Sequence, residues 1–369
     1  MNVIFTCGGT AGHVNPALAL AGYMKQHLSD VRILFVGTPD GMEKGLVTKE
    51  GYDYAGIEIS SFQRSLKAVG HNLHTARTML SSRREADKIL RRFAPDLVVG
   101  TGGYASYPMI RAAAKKQIPT AVHESNMVPG LTTRLLEGSA QVIMVGFEDC
   151  RQYYKHPEKI QVTGTPVRGD FFTLTKAEAR AKLGYTDEKP LVVSFWGSLG
   201  ASTMNAHMLD FFQREKDAAF PFHHIHAVGS RGWTSMQTSL AQRQLHCPEL
   251  DIRQYIYDMA VVMQAADLVI SRAGASTISE LTALGMPAIM VPSPYVTNNH
   301  QEKNARILEQ HGGAVVLLEN EATGDALYDT AAAILSDAAQ TERMHRGMAE
   351  LGILDATQRI YQTVIGLIK

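Results

Sequence analysis

The sequence predicts an α/β protein of two doubly wound, parallel-sheet domains, and three observations predict it. Short apolar runs alternate with amphipathic segments along the whole chain. Most of these runs are continuous and β-branched, as in strands buried on both faces of a parallel sheet. The pattern also starts twice. Val3–Thr6 leads into Gly8-Gly9-Thr10-Ala11-Gly12-His13, and Leu191–Phe195 leads into Gly197-Ser198-Leu199-Gly200, each loop followed by a helical pattern. A chain of 369 residues is long for one core, so two domains are the natural division.

In the first half the spacing predicts strands at Val3–Thr6, Val31–Val36, Tyr54–Ile59, Leu97–Val99, Thr120–Val122, Val142–Val145 and Ile160–Val162. Helices are expected between them, among them His13–Leu28, Gly41–Glu50 and Tyr107–Lys116. Residues 62–93 stand apart. Phe62, Leu66, Leu73, Met79, Ile89 and Phe93 are interleaved with Arg64, Lys67, Arg77, Arg83, Arg84, Lys88, Arg91 and Arg92, against Glu85 and Asp87 alone. This basic amphipathic stretch reads either as a solvated helix face or as a patch for an anionic membrane surface.

Turn formers from Gly164 to Asp170 mark a boundary, and Thr175 with Glu178 has capping-box spacing for a new helix, Thr175–Leu183. The expected domains are 1–163 and 175–369, joined by a linker at 164–174. The second half then predicts strands Leu191–Phe195, His224–Val228, Ile252–Ile256, Leu268–Ile270, Ala288–Val291 and Val315–Leu318. Helices Met259–Ala266, Thr277–Leu284 and Gln301–Gln310 separate them, and a last helix at about 355–368 is able to pack back on the first domain.

With 36 basic and 36 acidic residues the net charge is zero, so no nucleic-acid partner is expected. Cys7, Cys150 and Cys247 are far apart and form no C-x-x-C, which argues against disulfides or a zinc ribbon and for a reducing cytoplasm. The chain opens directly on a strand, and no apolar run approaches the ~18 residues of a membrane span. Any membrane contact is therefore expected to be peripheral.

Chemistry concentrates where predicted strands end. The Gly8–His13 loop joins glycines, which permit close backbone approach, to a helix N-terminus, which suits a phosphate; the plain alternative is a tight turn. The Gly197–Gly200 loop is a second phosphate-loop candidate with the Ser198 hydroxyl beside it, although it is neither a Walker A nor a G-x-G-x-x-G motif. In Ser271-Arg272-Ala273-Gly274-Ala275-Ser276-Thr277-Ile278-Ser279-Glu280, the backbone amides of Ala275 to Thr277 would face a ligand. Glu280 could accept both hydroxyls of a ribose; a helix capping box is the structural alternative. The run from Pro294 to Ala305 is rich in amides, which suit sugar hydroxyls, and Gln301 and Asn304 share a helix face. Gly102-Gly103-Tyr104 and His123-Glu124-Ser125-Asn126 also follow predicted strands, so His13, His123 and Glu124 could converge.

These segments occur in a recognisable order: GGTAGH…PALAL, GTGGYASYP, HESN…PG, GTPVR, GSLGAS, SRAGASTISEL and NHQEKNA. In that order they resemble the MurG family of N-acetylglucosaminyltransferases over essentially the whole chain. Ala11, Ser125, Thr165 and Trp196 stand where the family usually has Gly, Gln, Asn and Gly. The resemblance implies a GT-B fold, two Rossmann-like domains facing a cleft, with the donor in the C-terminal domain and the acceptor mainly in the N-terminal one. It implies inverting transfer of GlcNAc from UDP-GlcNAc to the 4-hydroxyl of MurNAc in lipid I, giving lipid II for peptidoglycan synthesis. It also implies peripheral binding to the cytoplasmic face of the membrane, with other cell-wall synthesis proteins as possible partners.

Carried over by position, Ile256 would hold uracil through its backbone, and Arg168 and Ser198 would contact the nucleotide and diphosphate. Ala275, Ser276 and Thr277 would line sugar and phosphate, and Glu280 would hold the ribose. Gln301, with His300 and Asn304, would read the GlcNAc hydroxyls. Thr10, Ala11, Gly12 and Asn126 would complete the substrate site, and Gly9, Gly103 and Tyr104 would touch the acceptor. His13 is the first choice for general base, with His123 and Glu124 as alternatives or acceptor ligands. Without D-x-D or a ligand cluster, no metal and no cofactor are expected. A transferase acting on another lipid, a UDP-GlcNAc 2-epimerase and a non-catalytic nucleotide-sugar binder are the competing readings. The epimerase signature G-T-R-P-E is replaced here by GGTAGH.

Overall fold

The computed structural model describes residues 1–59, 69–296 and 299–368, and for residues 69–80 the backbone alone. It divides into two units, Met1–Val167 with Ile353–Lys369, and Arg168–Gly352. The break falls inside the expected linker. The final segment from Ile353 counts with the first unit, so the second ends before the expected 369.

The first unit holds seven parallel strands: β1 (Asn2–Thr6), β2 (Arg32–Gly37), β3 (Asp53–Gly56), β4 (Leu97–Gly100), β5 (Thr120–Glu124), β6 (Val142–Val145) and β7 (Ile160–Val162). Their order is β3-β2-β1-β4-β5-β6-β7. The chain works outward from β1 to β3, then crosses to β4 on the other side of β1. That reversal makes the carboxyl ends of β1 and β4 a topological switch point, where open α/β sheets hold ligands. Thr6 pairs with Gly100 across it, so the two following loops start level.

Helix α1 (Ala11–His27) begins two residues before the expected start at His13. Its Val14, Ala17, Leu20, Ala21 and Met24 bury one face against Val3, Phe5 and Phe35 of the sheet. Helix α14 (Ala356–Gly366) adds Ile360 and Val364 to the same core. These two residues are one turn apart, so one apolar stripe anchors the tail.

Helix α3 (Val69–Phe93) carries the basic stretch. Ser82, Ala86 and Leu90 are buried at four-residue spacing, while Arg83, Arg84, Lys88, Arg91 and Arg92 are exposed. Phe62, Arg64, Leu66 and Lys67 lie outside the described residues, as do the side chains of Leu73, Arg77 and Met79. Among the described residues no helix is long and apolar enough to cross a membrane.

The second unit holds six parallel strands, β8 (Leu191–Phe195), β9 (His223–Ala227), β10 (Leu250–Arg253), β11 (Leu268–Ser271), β12 (Ala288–Met290) and β13 (Ala314–Val316). Their order, β10-β9-β8-β11-β12-β13, repeats the reversal, now between β8 and β11. β10 begins two residues before the expected Ile252. It is an edge strand of alternating character, Leu-Asp-Ile-Arg, so an apolar run does not mark it.

Helix α6 (Lys176–Leu183) opens with the expected capping box. The Thr175 hydroxyl accepts from Glu178 N at 3.3 Å, and Glu178 Oε2 accepts from Thr175 N at 2.8 Å. Helices α7 (Ser202–Asp217) and α10 (Ala275–Leu284) follow the strands at the switch point, and neither has a side-chain cap or an acid in its first turn.

Candidate active site

In the first unit the loop after β1 ends at Thr10, whose extended backbone starts α1. Its side chain makes no capping bond, and the first turn carries no acid. The opening amides and the positive end of the helix are therefore left for an outside anion. His13 lies in this turn, half-buried, with Nδ1 2.8 Å from the Gly8 carbonyl oxygen. A carbonyl can only accept, so Nδ1 carries the proton. The neutral ring then presents Nε2 as a proton acceptor, and Nε2 has no hydrogen-bond partner among the described residues.

The loop after β4 fixes this arrangement. Thr101 Oγ1 donates to the His13 carbonyl at 2.6 Å. Gly103 has φ +85°, and a Cβ there would stand 2.3 Å from the Gly8 carbonyl oxygen, so backbone lies directly on backbone. Tyr104 beside it is half exposed. Gly9 and Thr10 are exposed, and Ala11 and Gly12 partly so. The expected acceptor residues Gly9, Gly103 and Tyr104 thus border the loop that carries His13.

Sequence reasoning missed Glu43, at the start of α2 (Met42–Lys49) and fully buried. Its Oε1 accepts from Thr38 N at 2.8 Å and Thr38 Oγ1 at 2.7 Å, and its Oε2 accepts from Gly9 N at 3.4 Å. Burial opposes ionisation, but these bonds outweigh it and hold the carboxyl below its ordinary range.

The expected end of the strand before His123 and Glu124 requires correction. Both belong to β5 and not to the loop after it. His123 is buried, its Nε2 donates to the Gly164 carbonyl at 3.0 Å, and its Nδ1 lies 3.4 Å from Ser125 Oγ. Burial holds its pKa low, partly countered by that carbonyl. Glu124 is buried and accepts from Asn126 N (3.1 Å), Asn126 Nδ2 (3.0 Å), Gly130 N (3.0 Å) and Thr133 Oγ1 (2.7 Å). It ties the start of α5 (Leu131–Leu136) to the sheet. Neither residue offers an open proton acceptor, and the Asn126 amide donates to Glu124. Glu124→Gln would set a donor against these donors. Urea unfolding should read a loss of about 2 kcal/mol, with kcat of the folded fraction retained.

In the second unit, residues 197–200 form a tight turn closed by Gly200 N on the Gly197 carbonyl at 3.1 Å, with Ser198 exposed at its tip. A Cβ on Gly200, which has φ +77°, would stand 2.2 Å from the Val228 carbonyl oxygen, so the turn is seated on the end of β9. The capping-box reading of the loop after β11 fails. Gly274 is the N-cap, Glu280 lies six positions into the helix, and no side chain caps it. The amides of Ala275, Ser276 and Thr277 form an open first turn. Glu280 is part-buried and accepts no hydrogen bond from the described residues. Burial pushes its carboxyl up to about 7, against the pull of Arg168. Arg168 is exposed and pairs with Asp170 at 3.2 Å.

Ile256 lies just beyond β10. Its side chain is buried, while its sequence neighbours Tyr255 and the almost fully exposed Tyr257 pack their rings 4.9 Å apart. Its own N–H and C=O have no partner among the described residues. Helix α11 (His300–Gln310) begins with the expected His300 and Gln301. Gln301 Oε1 already accepts from Ser293 N at 2.8 Å. Asn304 lies one turn further along the same helix. It is buried, and its amide donates to the Ala273 carbonyl at 3.3 Å, so it shapes the loop before α10. Thr297 and Asn298 of the amide-rich run lie outside the described residues.

Arg272 is a further strut. It donates to the Val291 and Pro292 carbonyls at 3.1 and 3.3 Å, pairs with Glu319 at 2.5 Å and lies 5.7 Å from the Trp196 ring centre. One guanidinium therefore joins the ends of β11, β12 and β13.

Two doubly wound units, with open helix starts after their switch-point strands, are the architecture of a GT-B glycosyltransferase. The glycosyltransferase family 28 N-terminal domain model matches residues 3–145, and the family 28 C-terminal domain model matches 191–360. The chain is 40% identical over 369 residues to a protein of Acetivibrio thermocellus, covering 100% of this chain and 99% of the other. A protein of Caldanaerobacter subterraneus is 40% identical over 365 residues, covering 99% of each. Both are named UDP-N-acetylglucosamine–N-acetylmuramyl-(pentapeptide) pyrophosphoryl-undecaprenol N-acetylglucosamine transferase. The crystal structure of Acinetobacter baumannii MurG superposes with a TM-score of 0.79 at 26% identity, covering 99% of each chain. The chain belongs to this family of N-acetylglucosamine transferases, within glycosyltransferase family 28.

Proposed function

We propose that the enzyme moves N-acetylglucosamine from UDP-N-acetylglucosamine to the 4-hydroxyl of the muramyl sugar in undecaprenyl-pyrophosphoryl-MurNAc-pentapeptide, with inversion, giving the disaccharide lipid of peptidoglycan synthesis. The observation that carries the reading is the open Nε2 of His13, whose Nδ1 is held by the Gly8 carbonyl at an uncapped helix start. His13 takes the proton of the acceptor hydroxyl as its oxygen attacks C1 of the donor sugar. The C1–O bond breaks on the opposite face, and the electron pair leaves with UDP. The open starts of α7 and α10, with Ser198 and Arg168, oppose the charge that gathers on the diphosphate. Glu280 receives the ribose hydroxyls, the backbone of Ile256 reads uracil, and Gln301 and His300 meet the sugar. Thr10, Ala11 and Gly12 face the acceptor diphosphate. The first unit is then the acceptor domain and the second the donor domain.

The test is turnover of UDP-N-acetylglucosamine with a synthetic lipid acceptor of this class. UDP release matched by disaccharide-lipid supports the reading. Formation of the manno epimer from the donor alone, or transfer to diacylglycerol in preference to the muramyl lipid, overturns it.

An acceptor carried on a lipid requires contact with the membrane, and the exposed arginines of α3 support peripheral binding at its cytoplasmic face. Arg83→Glu with Arg84→Glu should lower partition onto vesicles containing anionic lipid about tenfold or more, at roughly 1 kcal/mol for each basic charge removed. An unchanged partition would leave this face merely solvated.

A further inference from the structure

We infer that Glu43 is a positioning residue for His13, acting through the glycine loop that lies between them. The inference rests on the proposed role of His13 in proton transfer. Three observations carry it. The Glu43 carboxylate is fully buried, and its bonds join Thr38, on the turn after β2, to Gly9, on the loop after β1. Gly8 lies against the same carboxylate, where a Cβ would stand 2.9 Å from Oε1. The carbonyl of Gly8 in turn fixes the His13 ring through Nδ1.

The chain of contacts is therefore carboxylate, loop backbone, imidazole. A carboxylate suits the first position because it only accepts, and three donors converge on it. The opposite side of the loop is closed by Gly103, whose backbone lies on Gly8. Pinned from both sides, the Gly8 carbonyl keeps one direction, which selects the His13 tautomer with Nε2 open. The turn is itself braced, since Tyr54 Oη donates to the Thr38 carbonyl at 2.6 Å.

Glu43→Gln preserves volume but turns an NH2 toward either Thr38 N or Gly9 N. The measurement is the 15N spectrum of the His13 imidazole, assigned by loss of its signals in His13→Gln, together with steady-state kinetics. In the unsubstituted enzyme the neutral ring should show the Nδ1–H tautomer. In Glu43→Gln it should show a mixture of tautomers, with kcat down roughly tenfold and KM for UDP-N-acetylglucosamine unchanged. An unchanged tautomer with unchanged kcat overturns the inference, and so does a fall in kcat that leaves the tautomer untouched. Thr38→Val, which removes one donor and leaves the carboxylate in place, is the milder variant should Glu43→Gln fail to fold. It should give the same changes to a smaller degree, and a spectrum and kcat identical to the unsubstituted enzyme would again overturn the inference. The tautomer is read independently of turnover, so failure of His13 as the base is seen separately, as retained activity in His13→Ala.

Discussion

His13→Ala lowers kcat roughly 10²- to 10⁴-fold and leaves the dissociation constant for UDP unchanged. The expectation follows from the two ring nitrogens. Nδ1 is committed to the Gly8 carbonyl, so the proton on the neutral ring is accounted for and Nε2 remains to accept one. The competing bases do not have this property. His123 uses Nε2 on Gly164, and Glu124 meets four donors. The proposed function gives nucleotide binding to residues of the other unit, which is why affinity and turnover should separate. Kinetics with the lipid acceptor and calorimetry with UDP provide the check. Equal losses in both would remove the base role. His13→Gln sharpens the result: it keeps a polar side chain but supplies no basic nitrogen, so it should be no better than Ala.

The architecture was legible because both restarts, Val3–Thr6 and Leu191–Phe195, are buried parallel strands that read as continuous apolar runs. The loops that matter were legible too, since glycines where backbone meets backbone leave a mark in the sequence; Gly103 on Gly8 is the clear case. What the sequence hid was the partner of each polar side chain. Glu124 looks the same whether it serves a substrate or Gly130 and Thr133. Asn304 carries no mark in the sequence of the Ala273 carbonyl to which its amide donates. Glu43 is 34 residues from Gly9, and only the register of β1 on β2 brings them together. The one signal that could have found it is a carboxylate at a helix start following a strand next to the glycine loop. The misplacement of His123 and Glu124 outside their strand has a local cause. A polar pair at the end of an apolar run reads as a loop, yet β5 lies inside the sheet and its last residues are covered from neighbouring elements.

Glu280→Ala weakens UDP binding by about 10- to 100-fold, the cost of removing a charged acceptor from two hydroxyl donors. The side chain is suited to such a role because it accepts no hydrogen bond from the described residues while burial drives its carboxyl up to about 7. A group left half-neutral at physiological pH has an unmet demand for donors, and a ribose diol supplies two. The pH dependence follows in sign. A carboxylate accepts from both hydroxyls and a carboxylic acid does so less well, so UDP affinity should rise between pH 6 and 8 in the unsubstituted enzyme. Glu280→Gln should lack that component, and the difference between the two proteins cancels titration of the nucleotide phosphate. Stability of the ligand-free protein runs the other way. The folded-state value lies above the unfolded value of 4.5, so the contribution is fully present below pH 4.5 and is lost as pH rises through 7. Unliganded Glu280→Gln should therefore gain on the order of 1–3 kcal/mol over the unsubstituted enzyme at pH 8 and little at pH 5. Thermal unfolding at the two pH values, with and without UDP, measures both effects together. A variant that is more stable at pH 8 and binds UDP more weakly fits a carboxylate held ready for a ligand. Loss of stability at pH 8 with unchanged affinity would mean that Glu280 serves the fold alone.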